Sequence, residues 1–574
     1  MKNAPTSLVD VLRWRALNQP DKLAFRFLVD GESEEATLTY AELDEKARTI
    51  AALLQFHSRI QPGDRVLLLL PSGLEFISTY LGCLYAGAIA VPLYPPHPAR
   101  LMKTLEPTLR IATDASPAVA LVNTALFEAI SSKPKARESL NGIKLLVTDR
   151  PVMSNWAERW QETLPKADDI AFLQYTSGST ASPKGVMVSH GNLMHNLAYI
   201  RASFGLSESS RGIFWLPPFH DMGLIGGILQ GLFAGYPSTM MPHFLFLQRP
   251  LRWLKAIARY QATVSGAPNF AYDLCVQKIP TEQRDQLDLS QWEVAFNGAE
   301  KVHPTTMERF AEYFAPCGFR REAFFPCYGL AEATLLVTGG PRLTGGKTLG
   351  VEKLAYQHQR IVSDEGEATL ELAASGKNLS DQAIRIVDPD SQTLCSSDQI
   401  GEIWVKGNSV AQGYWNKPEA TKDAFGAFLT DTGEGPFLRT GDLGFMHEET
   451  LYVTGRIKNV IISEGRNHHA NDLEKTVERC HPAIRTAGVA AFYIDLPDRE
   501  GVVIIAETPR GFSDDPNVVI TAIRKALAEQ HALQVHDIRL TIPGAIPRTT
   551  SGKIRHFLCK QNYLSQTLKE ISAT

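Results

Sequence analysis

"RVLLLLPSGLEFISTYLGCLYAGAIAVPLYPP", Arg65 to Pro96, decides the fold class. The first apolar run is short and unbroken, so it reads as a strand. Ser72, with Glu75 three residues on, then reads as a capping box that opens a helix. A second apolar run follows and stops at prolines, completing a β-α-β unit. Both runs are continuous rather than alternating, the pattern of strands covered on both faces in a parallel sheet. Upstream, "TYAELDEKARTIAALLQ" (39–55) opens with another box, Thr39 and Glu42, and continues as an amphipathic helix. Downstream, "AVALVN" (118–123), "IAFLQYTSG" (170–178), "ATVSGAPNF" (262–270) and "WEVAFNGAE" (292–300) repeat the strand signal. The expectation is a layered α/β architecture over the first three-quarters of the chain.

After Gly401 the pattern changes. "GEIWVKGNSV", "GPFLRTGDLGFM" and "LYVTGRIKNVIIS" are short strand signals between Gly-rich turns, which predicts a β-rich subdomain over about 401–457. From Asn471 onward, helix and strand patterns alternate on a compact α+β scale. A chain of 574 residues is too long for one hydrophobic core. The reading is a large multi-subdomain unit, 1–457, followed by a small α+β unit, 458–574.

The bulk numbers exclude several classes. A net charge of −4 gives no long-range attraction to nucleic acid or anionic lipid. Seven scattered cysteines without a C-x-x-C pair argue for a reducing cytoplasm and against structural zinc. Asp10, Arg13 and Arg15 interrupt the N-terminal apolar residues before a signal-peptide core can form. Two uncharged stretches, from Ile77 and from Met222, are broken by Gly and Pro. They read as buried helix followed by strand rather than as membrane spans.

Four stretches point to chemistry. "YTSGSTASPKG" (175–185) follows the apolar run "IAFLQ", at the carboxyl end of a predicted strand, where α/β proteins bind ligands. Its amides and hydroxyls, with Lys184 at the end, form a donor surface for phosphate oxygens. It is not a Walker A loop: Pro183 and Gly185 occupy the places of the second glycine and the magnesium-binding hydroxyl. The same composition also makes a plain turn. In "FFPCYGLAEATLL", Tyr328 and Gly329 precede Glu332, a carboxylate suited to Mg²⁺ beside an aromatic suited to a base, or else an ordinary helix-start acid. In "LRTGDLGF", Asp442 is placed to accept from ribose hydroxyls, or forms a simple Asx turn. In "PRTTSGKIRH", Lys553 stands in a Gly-Ser-Thr loop able to bend into a site, although a lone lysine is ordinarily solvated.

In this order and spacing, the four stretches resemble the adenylate-forming superfamily of acyl-CoA synthetases, peptide-synthetase adenylation domains and luciferases. The resemblance runs from the Thr39 helix to Lys553 and takes in "PPFHDMGL" (His220), "NGAE" (Asn297, Gly298, Ala299, Glu300), "GEIWVKG" and "GRIKNVII". "YTSGSTASPKGVMVSH", "LPPFHDMGLIGG" and "CYGLAEATLL" look most like the fatty acyl-AMP ligases. Ala331 stands where many superfamily members have threonine, and the acyl-AMP ligases share that alanine. The long segment after "AEATLL", about 342–371, exceeds an ordinary loop. In this family an insertion here is associated with loss of CoA-dependent activity, although a neutral surface hairpin has the same length.

The resemblance implies ATP as cosubstrate, AMP in the intermediate, Mg²⁺, and a fatty acid activated as acyl-adenylate. The acceptor it implies is the phosphopantetheine arm of an acyl carrier protein or of a carrier domain in a polyketide or nonribosomal peptide synthase; a fatty acyl-CoA synthetase is the nearest alternative. It assigns Mg²⁺ to Glu332 and Thr176, and the triphosphate to Thr176, Ser177, Gly178, Ser179 and Thr180. Lys184 falls to the outgoing pyrophosphate, and Lys553 lies between carboxylate and α-phosphate. Tyr328 and the backbone of Gly298 and Ala299 contact the adenine; Asn297, Glu300 and Gly329 also belong to the nucleotide site, and Ala331 leaves a hydroxyl missing near the phosphates. Asp442 and Arg456 hold the ribose, His220 gates an acyl tunnel, and Lys458 marks a hinge.

Overall fold

A computed structural model describes residues 5–150, 155–176, 183–366, 369–378, 381–463, 466–496, 500–549 and 552–571. The chain is layered α/β, as the strand and helix periodicities require. A six-stranded sheet runs, in spatial order, through Lys144–Val147, Val119–Val122, Arg65–Leu69, Ile89–Pro92, Ile170–Thr176 and Lys184–Ser189. An eight-stranded sheet runs from Leu336–Gly339 through Phe324–Gly329, Val294–Asn297, Val264–Gly266, Gly212–Phe214, Ser238–Met240 and Leu23–Leu28 to Glu35–Thr39.

The β-α-β unit forms as read: Arg65 pairs with Ile89 in parallel register, and Phe76, Ile77, Leu81 and Leu84 of the helix Leu74–Tyr85 are buried. Burying one such side chain stabilises the fold by roughly 1.5–3 kcal/mol. The Thr39 box closes on both sides, the Glu42 amide donating to Thr39 Oγ1 (3.3 Å) and the Thr39 amide to Glu42 Oε2 (2.8 Å). The Ser72 box does not form. Gly73 takes the cap position in extended backbone and the helix starts at Leu74, so Ser72 falls one residue too early to reach an orphan amide.

The strand Ile170–Thr176 turns back antiparallel on Lys184–Ser189, with Thr176 opposite Lys184. Residues Ser177, Gly178, Ser179 and Thr180, singled out above, lie outside the described residues. The uncharged stretch from Met222 is a π-helix, Met222–Leu229, running into the α-helix Gln230–Ala234 and then the strand Ser238–Met240. A glycine near the start of that helix has a packing reason: a Cβ on Gly223 would lie 2.1 Å from the Pro217 carbonyl oxygen. Among the described residues no helix is long and apolar enough to cross a membrane.

The Gly-rich strands after Lys377 form an antiparallel four-stranded sheet, Ala383–Val387, Gly401–Lys406, Leu438–His447 and Thr450–Arg456. The long segment before it is no plain surface hairpin. It makes the antiparallel pair Thr348–Glu352 and Thr369–Ala373 with a short helix, Lys353–Gln357, and it buries Val351, Tyr356 and Leu372 against Leu443, Phe445 and Tyr452. Beyond Val460 lie a short hairpin and a three-stranded sheet, Val489–Asp495, Glu500–Glu507 and Asp537–Thr541, packed with the helices Ala470–Cys480 and Pro516–His531.

This last unit docks through charged and polar pairs. Lys301 Nζ donates to Asp472 Oδ1 at 2.6 Å, Lys475 pairs with Asp273 at 2.7 Å, and Tyr356 Oη donates to Asp472 Oδ2 at 3.4 Å. Burial works against the Asp472 carboxylate, but the Lys301 charge holds it below the usual range. Four histidines lie at or beside this contact. Burial pushes His303 down to about 3 and His468, His469 and His531 down to about 4.

The direction of the pH dependence follows from linkage. Between about pH 6.5 and pH 4 the unfolded chain takes protons that the fold refuses, so stability is lost as pH falls through that window. His556 and Glu478 oppose this: burial disfavours the His556 charge but Glu474, 2.6 Å away, raises it, and burial raises Glu478 to about 7, so both contribute on the acid side. His190 and His220, likewise pushed down to about 4 with burial as the first cause, act in the same direction as the four, so the lowered histidines outweigh the two opposing groups and the melting temperature should drop between about pH 6.5 and pH 4. His469→Phe, which keeps a ring against Tyr356 (centroids 5.3 Å apart) and takes no proton, should flatten that drop. An unchanged pH profile, measured by calorimetry, would exclude His469 from the linkage.

Candidate active site

Three polar clusters form at and around the carboxyl ends of the strands Ile170–Thr176, Val294–Asn297 and Phe324–Gly329. In the first, Lys184 Nζ lies 4.6 Å from the centroid of the Tyr414 ring, and Tyr414 Oη donates to Glu332 Oε1 at 2.8 Å. Glu332 sits on the 3-10 turn Ala331–Ala333, reached through Gly329, where a Cβ would lie 1.9 Å from the Leu335 carbonyl oxygen. Ala331 is buried and brings no hydroxyl; nearby, Thr334 Oγ1 donates to the Ser409 carbonyl at 2.7 Å. Tyr175 Oη donates to Asp114 Oδ2 at 2.7 Å, which pins the strand that leads to Thr176.

The second cluster joins two stretches that the sequence shows far apart. Tyr328 Oη donates to Asp442 Oδ2 at 2.8 Å, and Arg456 Nε donates to Asp442 Oδ1 at 2.5 Å. Asp442 and Arg456 face each other across the strands Leu438–His447 and Thr450–Arg456. Burial and the Asp442 charge both push the Tyr328 hydroxyl far up, so it remains a donor. Tyr328 thus meets the Asp442 carboxylate through its hydroxyl.

The third cluster is organised by a residue the sequence does not advertise. Asn269 Nδ2 donates to Glu300 Oε1 (3.2 Å) and to the Lys301 carbonyl (2.8 Å), while Asn269 Oδ1 accepts from Asn297 Nδ2 (3.0 Å) and the His303 amide (3.1 Å). It fixes the whole Asn297–Glu300 turn, in which Ala299 adopts the left-handed region at φ 71°. A non-glycine residue there costs on the order of 1–3 kcal/mol and persists only where its surroundings impose it.

Lys553 reaches this side of the site. Its charge acts on His220, Asp221 and Glu300, and a Cβ on the neighbouring Gly552 would lie 3.8 Å from the Phe270 ring. Burial first, then the Lys553 charge, pushes His220 down to about 4, so its ring is neutral near pH 7. Asp221 caps the π-helix by accepting from the Met222 amide at 2.7 Å, and burial raises its carboxyl. Burial likewise raises Glu300. Lys458 lies in the 3-10 turn Ile457–Asn459, just past Arg456.

The sequence motifs name most of these side chains but miss Tyr414, Asn269 and Asp221. Asp221 follows His220 directly and is legible as a helix cap; nothing local marks Asn269, and only the preceding Gly413 marks Tyr414. Among the described residues no three His, Cys, Asp or Glu side chains cluster as metal ligands. A single carboxylate, Glu332, fits Mg²⁺, which takes one or two carboxylates and completes its shell with phosphates and water; it does not fit zinc.

Comparison with known proteins shows the family. Residues 12–415 match the family described as AMP-binding enzyme, and residues 458–573 match the Disco-interacting protein 2-like AMP domain. The chain is 42% identical to the medium-chain-fatty-acid–[acyl-carrier-protein] ligase JamA of Moorena producens, over 99% of this chain and 97% of that one. A fatty acyl-adenylate ligase of L. pneumophila, solved in complex with acyl adenylate and pyrophosphate, is 45% identical with a TM-score of 0.76, covering 98% and 96% of the two chains. A structure from work on the fatty acyl-adenylate ligases of E. coli and L. pneumophila aligns at 30% identity and a TM-score of 0.86, covering 98% of each chain. The chain therefore belongs to the AMP-binding enzyme family, within its branch of ATP-dependent fatty acid–AMP ligases.

Proposed function

We propose that the chain joins a fatty acid to ATP, giving acyl-AMP and pyrophosphate, and then passes the acyl group to a phosphopantetheine thiol on an acyl carrier protein or carrier domain, in the cytoplasm. The observation that carries this reading is that strands of three sheets bring Lys184, Glu332 and the Asp442–Arg456 pair to two tyrosine-centred clusters, while the Lys553 charge acts on His220 and Asp221 at the head of the uncharged helix from Met222.

The first step brings a carboxylate onto the α-phosphorus of a triphosphate, anion on anion. Two unit charges ~4 Å apart repel by about 4 kcal/mol at an effective dielectric near 20. Cations fixed beforehand offset that repulsion without reorganising during the reaction. Lys553, beside a neutral His220, stands where the carboxylate would meet the α-phosphate. A carboxylate oxygen bonds to phosphorus, the bond to the β-phosphate bridging oxygen breaks, and the departing pyrophosphate meets Lys184 and the loop 176–180. Mg²⁺, held by Glu332 with Thr176 near, would neutralise phosphate charge. Asp442 and Arg456 orient the ribose, with Tyr328 and the 297–300 turn beside the adenine; the helix from Met222 lines the acyl chain, with His220 at its mouth.

In the second step a thiolate attacks the acyl carbonyl and AMP leaves. Lys553 must then withdraw, and rotation of residues 458–574 about Lys458 accomplishes this with few backbone changes. The insertion bears on that motion, because Tyr356 bonds to Asp472 and Asn467 Nδ2 donates to the Gln357 carbonyl at 3.2 Å.

Lys553→Ala should reduce acyl-AMP formation by about 10²-fold or more, the range for one key electrostatic group, while thioester formation from supplied acyl-AMP survives; equal loss of both half-reactions would contradict the division of roles. Deleting all of 342–371 would open the cluster around Tyr356, so a point variant is cleaner. Given laurate, ATP and CoA, Tyr356→Ala should yield acyl-CoA detectable by mass spectrometry where the unaltered chain stops at acyl-AMP. Abundant acyl-CoA from the unaltered chain would instead make it a fatty acyl-CoA synthetase.

A further inference from the structure

Residues 411–415 lie as a short extra strand on the Lys184 strand. The Met187 amide donates to the Gly413 carbonyl (2.9 Å), the Gln412 amide to the Met187 carbonyl (3.0 Å), and the Trp415 amide to the Gly185 carbonyl (2.8 Å). At the other end of this stretch, the Ala411 amide donates to the Glu332 carbonyl at 2.9 Å. One short segment therefore splints the backbone beside Lys184 to that of Glu332. One of its side chains does the same for their charged ends. Tyr414 offers its ring face to the Lys184 ammonium and its hydroxyl to the Glu332 carboxylate. The ring is itself fixed by Phe425, edge-on with centroids 5.2 Å apart, and is 6% exposed.

An ammonium and a carboxylate sharing one tyrosine, on the border of an anion site, attract each other directly, and a triphosphate would have to break any pairing between them before using either. Among the described residues no ion pair links Lys184 to Glu332. A ring face attracts a cation and a hydroxyl satisfies one carboxylate oxygen, so a single tyrosine holds both groups without joining them.

We propose that Tyr414 is a positioning residue that keeps Lys184 and Glu332 apart, leaving the lysine for the pyrophosphate end of ATP and the carboxylate for the divalent cation. This rests on the nucleotide-binding reading given above. The test is calorimetric titration of the full chain with a non-hydrolysable ATP analogue over a series of Mg²⁺ concentrations. Tyr414→Phe keeps the ring and loses the hydroxyl. Its affinity at saturating Mg²⁺ should stay within about 3-fold, while the Mg²⁺ needed for half-maximal binding rises roughly 10-fold, the size expected for one hydrogen bond to a charged group.

Tyr414→Leu removes both contacts and should weaken binding by about 10-fold or more even at saturating Mg²⁺. Adding Lys184→Ala to Tyr414→Leu should then cost little more, because neighbouring effects are not additive. A residue that only supports the fold would weaken binding at all Mg²⁺ concentrations alike, and melting temperatures of both variants separate that case. An unchanged Mg²⁺ requirement in Tyr414→Phe overturns the proposal alone. Failure of the unaltered chain to bind the analogue overturns the nucleotide-binding reading and the proposal with it.

Discussion

Opposite charges that lie close together must be kept from cancelling before a polyanion arrives, and much of the site's construction answers that constraint. At ~4 Å and an effective dielectric near 20, one uncontrolled pair is worth about 4 kcal/mol, enough to compete with a ligand. The carboxylates of the site are each held by a neutral group as well. Asp442 is the exception to that separation: it pairs directly with Arg456 through one oxygen and accepts from the Tyr328 hydroxyl on the other. Glu332 has the Tyr414 hydroxyl. Glu300 has the Asn269 amide. On the other side of the site, burial keeps His220 neutral near pH 7, so it presents no second cation to Lys553.

The docking of the C-terminal unit obeys a different logic. Lys301 and Asp472 are 5% and 16% exposed at the side chain, so their pairing costs desolvation and contributes little net stability. What such a pair supplies is a single orientation: a small rotation would leave two buried charges unmatched. Tyr356 adds a hydroxyl to the same carboxylate from the long segment after Arg342. That segment is anchored in turn by Val351 and Leu372 against Phe445 and Tyr452. A part of the chain that looks dispensable by length is thereby tied both to the four-stranded sheet and to the contact face of the C-terminal unit.

How much of this the sequence disclosed depends on how local each interaction is. The Thr39–Glu42 box spans three residues and was readable; the Ser72–Glu75 box has the same kind of letters but fails, because Gly73 takes the cap and the helix starts one residue later. Strand positions were readable because burial on both faces leaves an unbroken apolar run. Asp442, Glu332 and Lys184 were readable because each has a glycine within three residues, although only Glu332 stands on a turn and the other two stand on strands. Tyr414 was not: it lies 82 residues from Glu332, in a stretch whose only local mark is the preceding glycine, and its two contacts exist only after three separate segments have folded together. Asn269 was hidden for the same reason, since its partner Asn297 lies 28 residues away. A motif reveals groups whose geometry is set by neighbours in sequence. Groups that hold those motifs in place take their geometry from the tertiary fold, and so their letters carry no local pattern to read.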